Sequence, residues 1–208
     1  MTRIDRVFAV ALLGGLAGCT GGFRSDLPPE QTYVLRAAAV QAPSLDAPAS
    51  LQVVRPLPGP GLETDRIMVL RSDRRLDFVS GSRWATEVPV LVESLAVDTL
   101  RGGAFSAIYD SFASFPADYV LRVNVRRFEA DYTVGDRPRV FVTFECVLGR
   151  RDERRALATF TAEGSADASA SRVTALVAAF ETAVNAALGS LADQTYSALR
   201  TTTAQSPP

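Results

Sequence analysis

From about Ser171 onward, Val173, Leu176, Val177, Phe180, Val184, Leu188 and Leu191 recur mostly in steps of three and four, so the spacing predicts a long helix with a continuous apolar stripe. Such a stripe has to be covered by another layer, and the stretch from Phe105 to Ser165 supplies the pattern for one. Between Tyr119 and Phe128, the residues Tyr119, Leu121, Val123 and Val125 fall on one face and Arg122, Asn124 and Arg126 on the other, which is the signature of a strand in a sheet covered on one side. Val140 to Leu148 and Leu157 to Ala162 read as two more strands. Gly135-Asp136-Arg137-Pro138 and Arg150-Arg151-Asp152-Glu153-Arg154-Arg155 sit where hairpin turns belong, so an antiparallel meander is expected.

A second helix is expected where Trp84, Val88, Leu91, Val92, Leu95 and Leu100 mostly keep helical steps before Gly102-Gly103 stops them. Ser82 serves as its N-cap in this reading, and Pro89 either bends its first turns or moves its start towards Thr86. Short strands are predicted at Tyr33-Val34-Leu35, around Leu51 to Val54, at Ile67 to Leu70 and at Leu76 to Val79, with five prolines from Pro43 to Pro60 punctuating the region. The economical architecture is α+β, an antiparallel or mixed sheet with two amphipathic helices packed on one face.

The amino terminus carries a different message. Arg3 and Arg6 precede an apolar run from Val7 to about Leu16, and Leu16-Ala17-Gly18-Cys19 closes it. About ten apolar residues cannot span a bilayer, but they suit a secretory signal. Cleavage between Gly18 and Cys19 leaves a cysteine whose thiol can take a diacylglyceryl group and whose freed amine can take an acyl chain such as palmitate. Two or three chains, at about 0.8 kcal/mol per buried CH2, hold a domain on a membrane persistently. The expected organisation is a signal peptide over 1–18, a lipidated tether over 19–31, one domain over 32–200 and a disordered tail over 201–208. Position 20 is Thr and not Asp, which in a Gram-negative host points to the periplasmic face of the outer membrane.

Composition narrows the chemistry. All 22 basic residues are Arg, because the chain holds neither Lys nor His. That removes imidazole bases, His-ligated zinc, Schiff bases and the phosphate-loop lysine. A net charge of −1 provides no field for nucleic acid, and no cofactor or metal is expected beyond the covalent lipid on Cys19. With Cys19 acylated, Cys146 is the one remaining thiol. It shares the face of Val142, Phe144 and Leu148 and reads as a core residue.

Four groups are candidate sites, each with a plainer alternative. Trp84 reads either as an interface anchor or, as the start of its apolar stripe, as core. Arg150, Arg151, Arg154 and Arg155 could meet anionic headgroups or an acidic partner, or form a solvated hairpin tip neutralised in part by Asp152 and Glu153. Phe112 and Phe115 could form an exposed apolar loop for a lipid or a partner; core plugs are the preferred reading. Glu145 and Glu163 could be imagined as an acid/base pair, but on strands they belong to a wet face. No catalytic residue is assigned, and the chain is read as a non-enzyme.

The chain resembles the auxiliary lipoproteins of ABC-type lipid transport systems, the paraquat-inducible protein C type. The resemblance rests on the lipobox with Cys19 and on Tyr33-Val34-Leu35. It also rests on Arg66-Ile67-Met68-Val69-Leu70-Arg71 followed by Leu76 and Arg83-Trp84-Ala85, on Asp118-Tyr119-Val120-Leu121 leading to Phe128-Glu129-Ala130, and on the Ala-rich terminal helix, all in the family's order. It implies an accessory on the outer membrane that works beside a mammalian-cell-entry (MCE) protein, a permease and an ATPase to move phospholipid. A carrier that itself holds a phospholipid between sheet and helices, and a structural lipoprotein of another envelope assembly, remain the alternatives. Homo-oligomerisation stays open.

Overall fold

The computed structural model describes residues 29–39 and 49–204, apart from 102, 104, 134, 136 and 154. Gly18, Cys19, the signal peptide and most of the tether therefore lie outside the described residues.

The sheet is built around β7 (Tyr119–Asp131), with β8 (Arg139–Arg150) and β9 (Arg155–Asp167) following it as the expected antiparallel meander. The other flank of β7 is different in kind. There β2 (Ser50–Val53), β3 (Leu57–Pro58) and β4 (Arg66–Leu70) lie parallel to it at successive levels, while β6 (Ala107–Tyr109) extends the sheet beyond β2, and β5 (Leu76–Trp84) and β1 (Gln31–Tyr33) extend it beyond β4. The sheet is thus mixed.

The alternation in β7 holds through Val125 and then shifts. A bulge between Val125 and Arg127 inserts an extra residue, so that Phe128 and Ala130 return to the core after two consecutive arginines. Opposite them Val140, Val142, Phe144, Cys146 and Leu148 are fully buried. Burial raises the Cys146 thiol pKa to about 12, the condition of an inert packing residue.

The first helix, α1, spans Val88–Arg101. Two expectations are corrected here. Trp84 closes strand β5 and Ser82 lies buried within that strand, so neither starts nor caps the helix. Leu91 N–H donates to the carbonyl of Glu87 at 2.9 Å, so the start has moved past Thr86 and Pro89 falls in the first turn. There its missing N–H has no intrahelical partner to lose. At the other end Gly103 N–H donates to the Leu100 carbonyl at 3.0 Å, closing the helix as expected.

The second helix, α2, spans Val173–Ala204, running four residues into the segment expected as tail; residues 205–208 lie outside the description. Leu176, Phe180, Val184, Leu188 and Leu191 are each no more than 1% exposed. This helix is apolar and long enough to cross a membrane, yet 61% of its apolar window is buried, mostly against β8 and β9; it is the core helix of the domain. Its approach to β9 is very close, because the backbone of Ala183 and Ala187 lies over Gly164. Trp84, Phe128 and Phe180 meet at ring centroid distances of 6.0, 5.1 and 5.3 Å, joining β5, β7 and α2. Tyr196 donates to the Leu100 carbonyl at 3.2 Å and ties the two helices together. Both helices therefore cover the same face.

Candidate functional site

Two segments that the sequence keeps apart meet at one end of the sheet. The first is the loop 110–116 between β6 and β7. Asp110 Oδ1 accepts from the N–H groups of Phe112 at 3.0 Å and Ala113 at 3.1 Å, an Asx-type turn. Beneath it, Glu93 of α1, only 4% exposed, accepts from Ser111 N–H at 2.7 Å. The backbone is held from both sides, and the loop projects Phe112 at 76% and Phe115 at 68% exposure. The expectation of core plugs is corrected: local turn bonding, not burial, places these rings. Phe115 leans on Tyr109 at 6.0 Å.

The second segment is the hairpin between β8 and β9. Arg150 pairs with Asp152 at 3.2 Å and Glu153 at 3.3 Å, and Arg155 with Glu153 at 3.7 Å, so the acidic residues do neutralise part of the tip. Arg154 lies outside the described residues. Arg151 behaves otherwise: its Nε donates to the Ala117 carbonyl at 3.2 Å, its terminal nitrogen donates to Gln52 Oε1, and its backbone N–H donates to the Asp118 carbonyl at 3.0 Å. Among the described residues it has no carboxylate partner.

Gln52 joins the two segments, since its Nε2 also donates to the Asp110 carbonyl at 3.2 Å. Ser50 and Asp118 lock the same end. The Ser50 N–H and hydroxyl donate to Asp118 Oδ2 at 2.8 and 2.7 Å, and Asp118 N–H donates back to Ser50 Oγ at 3.0 Å. Those bonds hold the Asp118 carboxyl below the usual aspartate pKa, the Ser50 hydroxyl first and its backbone N–H second, against a smaller opposing effect of burial. On the outer face beside the hairpin an open cleft of about 670 Å3 is lined by Val120, Arg122, Val147, Arg150, Arg151 and Arg155.

The remaining candidates are placed elsewhere. Trp84 is core at 1% exposure. Glu145 and Glu163 both lie on the outer face; they are not cross-strand partners, since Glu145 faces Thr161 and Glu163 faces Thr143, and Glu145 is held by Arg126 at 2.6 Å. Among the described residues no group of three or more His, Cys, Asp or Glu could hold a metal. Gln52, Glu93 and Asp110 went unnoticed in the sequence. Asp110-Ser111 ahead of an apolar pair is a turn signal that would have found the third.

One end of this α+β domain thus carries two exposed aromatic rings on a loop whose backbone is held by carboxylates, tied through Gln52 to a guanidinium with no carboxylate partner among the described residues. A model of the family described as "ABC-type transport auxiliary lipoprotein component" matches residues 33–192, and the chain belongs to that family. The fold is also that of solved structures. Protein XCC0632 from Xanthomonas campestris is 22% identical with a TM-score of 0.78, covering 84% of this chain and 99% of that one. An uncharacterised protein of known structure is 14% identical with a TM-score of 0.55, again over 84% and 99%. A PelC dodecamer from Paraburkholderia phytofirmans is a more distant likeness, 20% identical with a TM-score of 0.42 over 72% of this chain and 92% of that one. No curated protein sequence matches the chain significantly.

Proposed function

We propose that this chain is the outer-membrane-anchored accessory of an ABC-type system that moves phospholipid through an MCE-family protein, and that it acts by binding and bracing that protein. The observation that carries the reading is the family match over residues 33–192, taken together with the lipobox ending at Cys19. Acylation of Cys19 fixes the domain to the periplasmic leaflet, with Thr20 permitting export beyond the inner membrane. The domain then works by association, and the ATPase that drives transport is a separate chain. Catalysis has no place in this reading.

Two measurements test it. Affinity purification of the full-length lipoprotein from gently solubilised envelopes is expected to bring down an MCE-family protein with its permease and ATPase; envelopes in which the lipoprotein is intact but recovers none of them would refute the reading. Cys19→Ala is expected to move the protein from the membrane fraction to the soluble one.

A further inference from the structure

We infer that the end of the sheet bearing Phe112, Phe115 and Arg151 is the surface by which this chain docks onto a partner protein, one offering an apolar pocket rimmed by carboxylates. The inference rests on the accessory reading above and gives it a location.

Three independent observations carry it. The first is rigid exposure. Single exposed apolar residues are ordinary on any surface, but here two phenylalanines, 76% and 68% exposed, share one short loop. That loop is fixed by Asp110, by the buried Glu93 carboxylate and by Gln52. Aromatic anchors held in place before binding lose little freedom on association, which is how a few residues come to dominate an interface.

The second is charge. The carboxylates of Asp110 and Asp118 at this end are engaged by backbone N–H groups and by Ser50. Arg151 and the cleft-lining Arg122 have no carboxylate partner among the described residues. Guanidinium groups with no carboxylate in contact are available to pair with carboxylates rimming an incoming surface.

The third is position. Thr32 pairs with Arg83, Arg83 with Arg66, and the β4 register places Arg66 level with Arg127, eight residues along β7 from Tyr119. That is about 27 Å at the rise of a strand. Because β1 runs towards the Tyr119 end, the residues that join it to the tether lie further still from the loop. The chain therefore leaves the described domain towards Cys19 on the side away from this loop, which separates this end from the point of attachment and favours a protein as its occupant.

The test uses the full-length lipoprotein in native envelopes. The double variant Phe112→Ser/Phe115→Ser and the single variant Arg151→Glu are compared with wild type and with Leu76→Ser, an apolar residue 49% exposed at the opposite end of β7. Melting curves establish that each is folded. Recovery of the MCE-family protein is expected to fall about tenfold or more in the double variant, to fall measurably in Arg151→Glu, and to be unchanged in Leu76→Ser. Wild-type recovery by the folded double variant overturns the docking assignment while leaving the accessory reading standing; failure of wild type to recover the protein overturns both. A photoreactive phenylalanine at position 112 should crosslink to that same protein. Crosslinks only to phospholipid, or only to a second copy of this chain, reject the assignment.

Discussion

At Gly164 strand β9 and helix α2 approach within backbone contact, and substituting it tests whether that proximity sets this layer spacing. A Cβ at position 164 would lie 2.0 Å from the Ala183 carbonyl oxygen, 2.7 Å from the Ala187 nitrogen and 3.0 Å from the Ala183 carbonyl carbon. Real Cβ contacts essentially never fall below 3.0 Å, so Gly164→Ala requires α2 and β9 to separate by about 1 Å at this point, from 2.0 to 3.0 Å. A gap of that size forfeits roughly a quarter to a half of the dispersion attraction at each affected contact. Overpacking commonly costs about 1–3 kcal/mol; here the obstructing atoms belong to helix backbone and cannot rotate aside, so the upper value, about 3 kcal/mol, is expected. With a urea dependence of about 2 kcal/mol per M, the midpoint should drop by about 1.5 M. The assay is urea unfolding of the Cys19→Ala protein, followed by circular dichroism and by the fluorescence of Trp84. Gly189→Ala is the matched control. It lies inside the same helix with nothing within 4 Å of the added atom, so it should raise stability by about 0.5–1 kcal/mol. Ala183→Gly should not rescue Gly164→Ala, because the conflict is with main-chain atoms. A Gly164→Ala midpoint within 0.3 M (roughly 0.6 kcal/mol) of wild type would refute the reasoning.

Three further outcomes follow from the geometry. In the Cys19→Ala protein, Cys146, buried with its pKa raised to about 12, should resist thiol reagents at pH 8 until urea unfolds the chain; prompt labelling of the folded protein would place it wrongly. Trp84→Ala should cost about 3–5 kcal/mol, since the ring is 1% exposed between Phe128 and Phe180, and native emission should be blue-shifted relative to the unfolded chain. Ser50→Ala should cost about 1 kcal/mol after allowing for solvent screening of the exposed Asp118. Because Asp118 is depressed below its ordinary 3.8 when folded, the pH-dependent part of that stabilisation is present above the unfolded value and is lost as pH falls through the folded one. The difference between wild type and Ser50→Ala should therefore shrink on acidification, and a difference that grew below pH 4 would contradict the assignment.

What the sequence disclosed and what it withheld divide along physical lines. Periodicity over ten or more residues is a local signal, and it located α2, β7, β8 and β9 together with the hairpin between the last two. Parallel pairing leaves no such trace. Nothing near Leu51 or Val69 announces that they will lie beside Tyr119 and Ala130, because the connections are long and no turn specifies the register. Trp84 shows a subtler failure. Its position four residues before Val88 fits a helix, but Trp84 N–H donates to the Asp65 carbonyl at 2.7 Å and Ala85 N–H to the Tyr33 carbonyl at 2.9 Å, extending β5 up to the proline-tolerant first turn. Tertiary pairing overrode a helical period that was real.

The candidate site was half legible for a related reason. Phe112, Phe115 and the arginines of the hairpin could be singled out, but burial was the wrong default for the rings. Hydrophobic residues go inside unless the backbone that carries them is committed elsewhere. Here it is committed: each of the N–H groups at 111, 112 and 113 bonds to a carboxylate, which holds the chain at the surface with its rings outward. One of those carboxylates comes from Glu93, a charged residue interrupting the otherwise apolar run Leu91, Val92, Leu95. Such an interruption in a buried helix face is costly without a partner, and its partner is this loop. Gln52 joins this loop to the hairpin, because the two ends of its one side-chain amide serve opposite segments, Nε2 donating to the Asp110 carbonyl and Oε1 accepting from Arg151. The loop and the hairpin are thereby one structural unit although they lie far apart in the chain. Replacing Phe112 and Phe115 should consequently alter what this end binds without altering how it is built, whereas replacing Gln52 or Glu93 should disturb both.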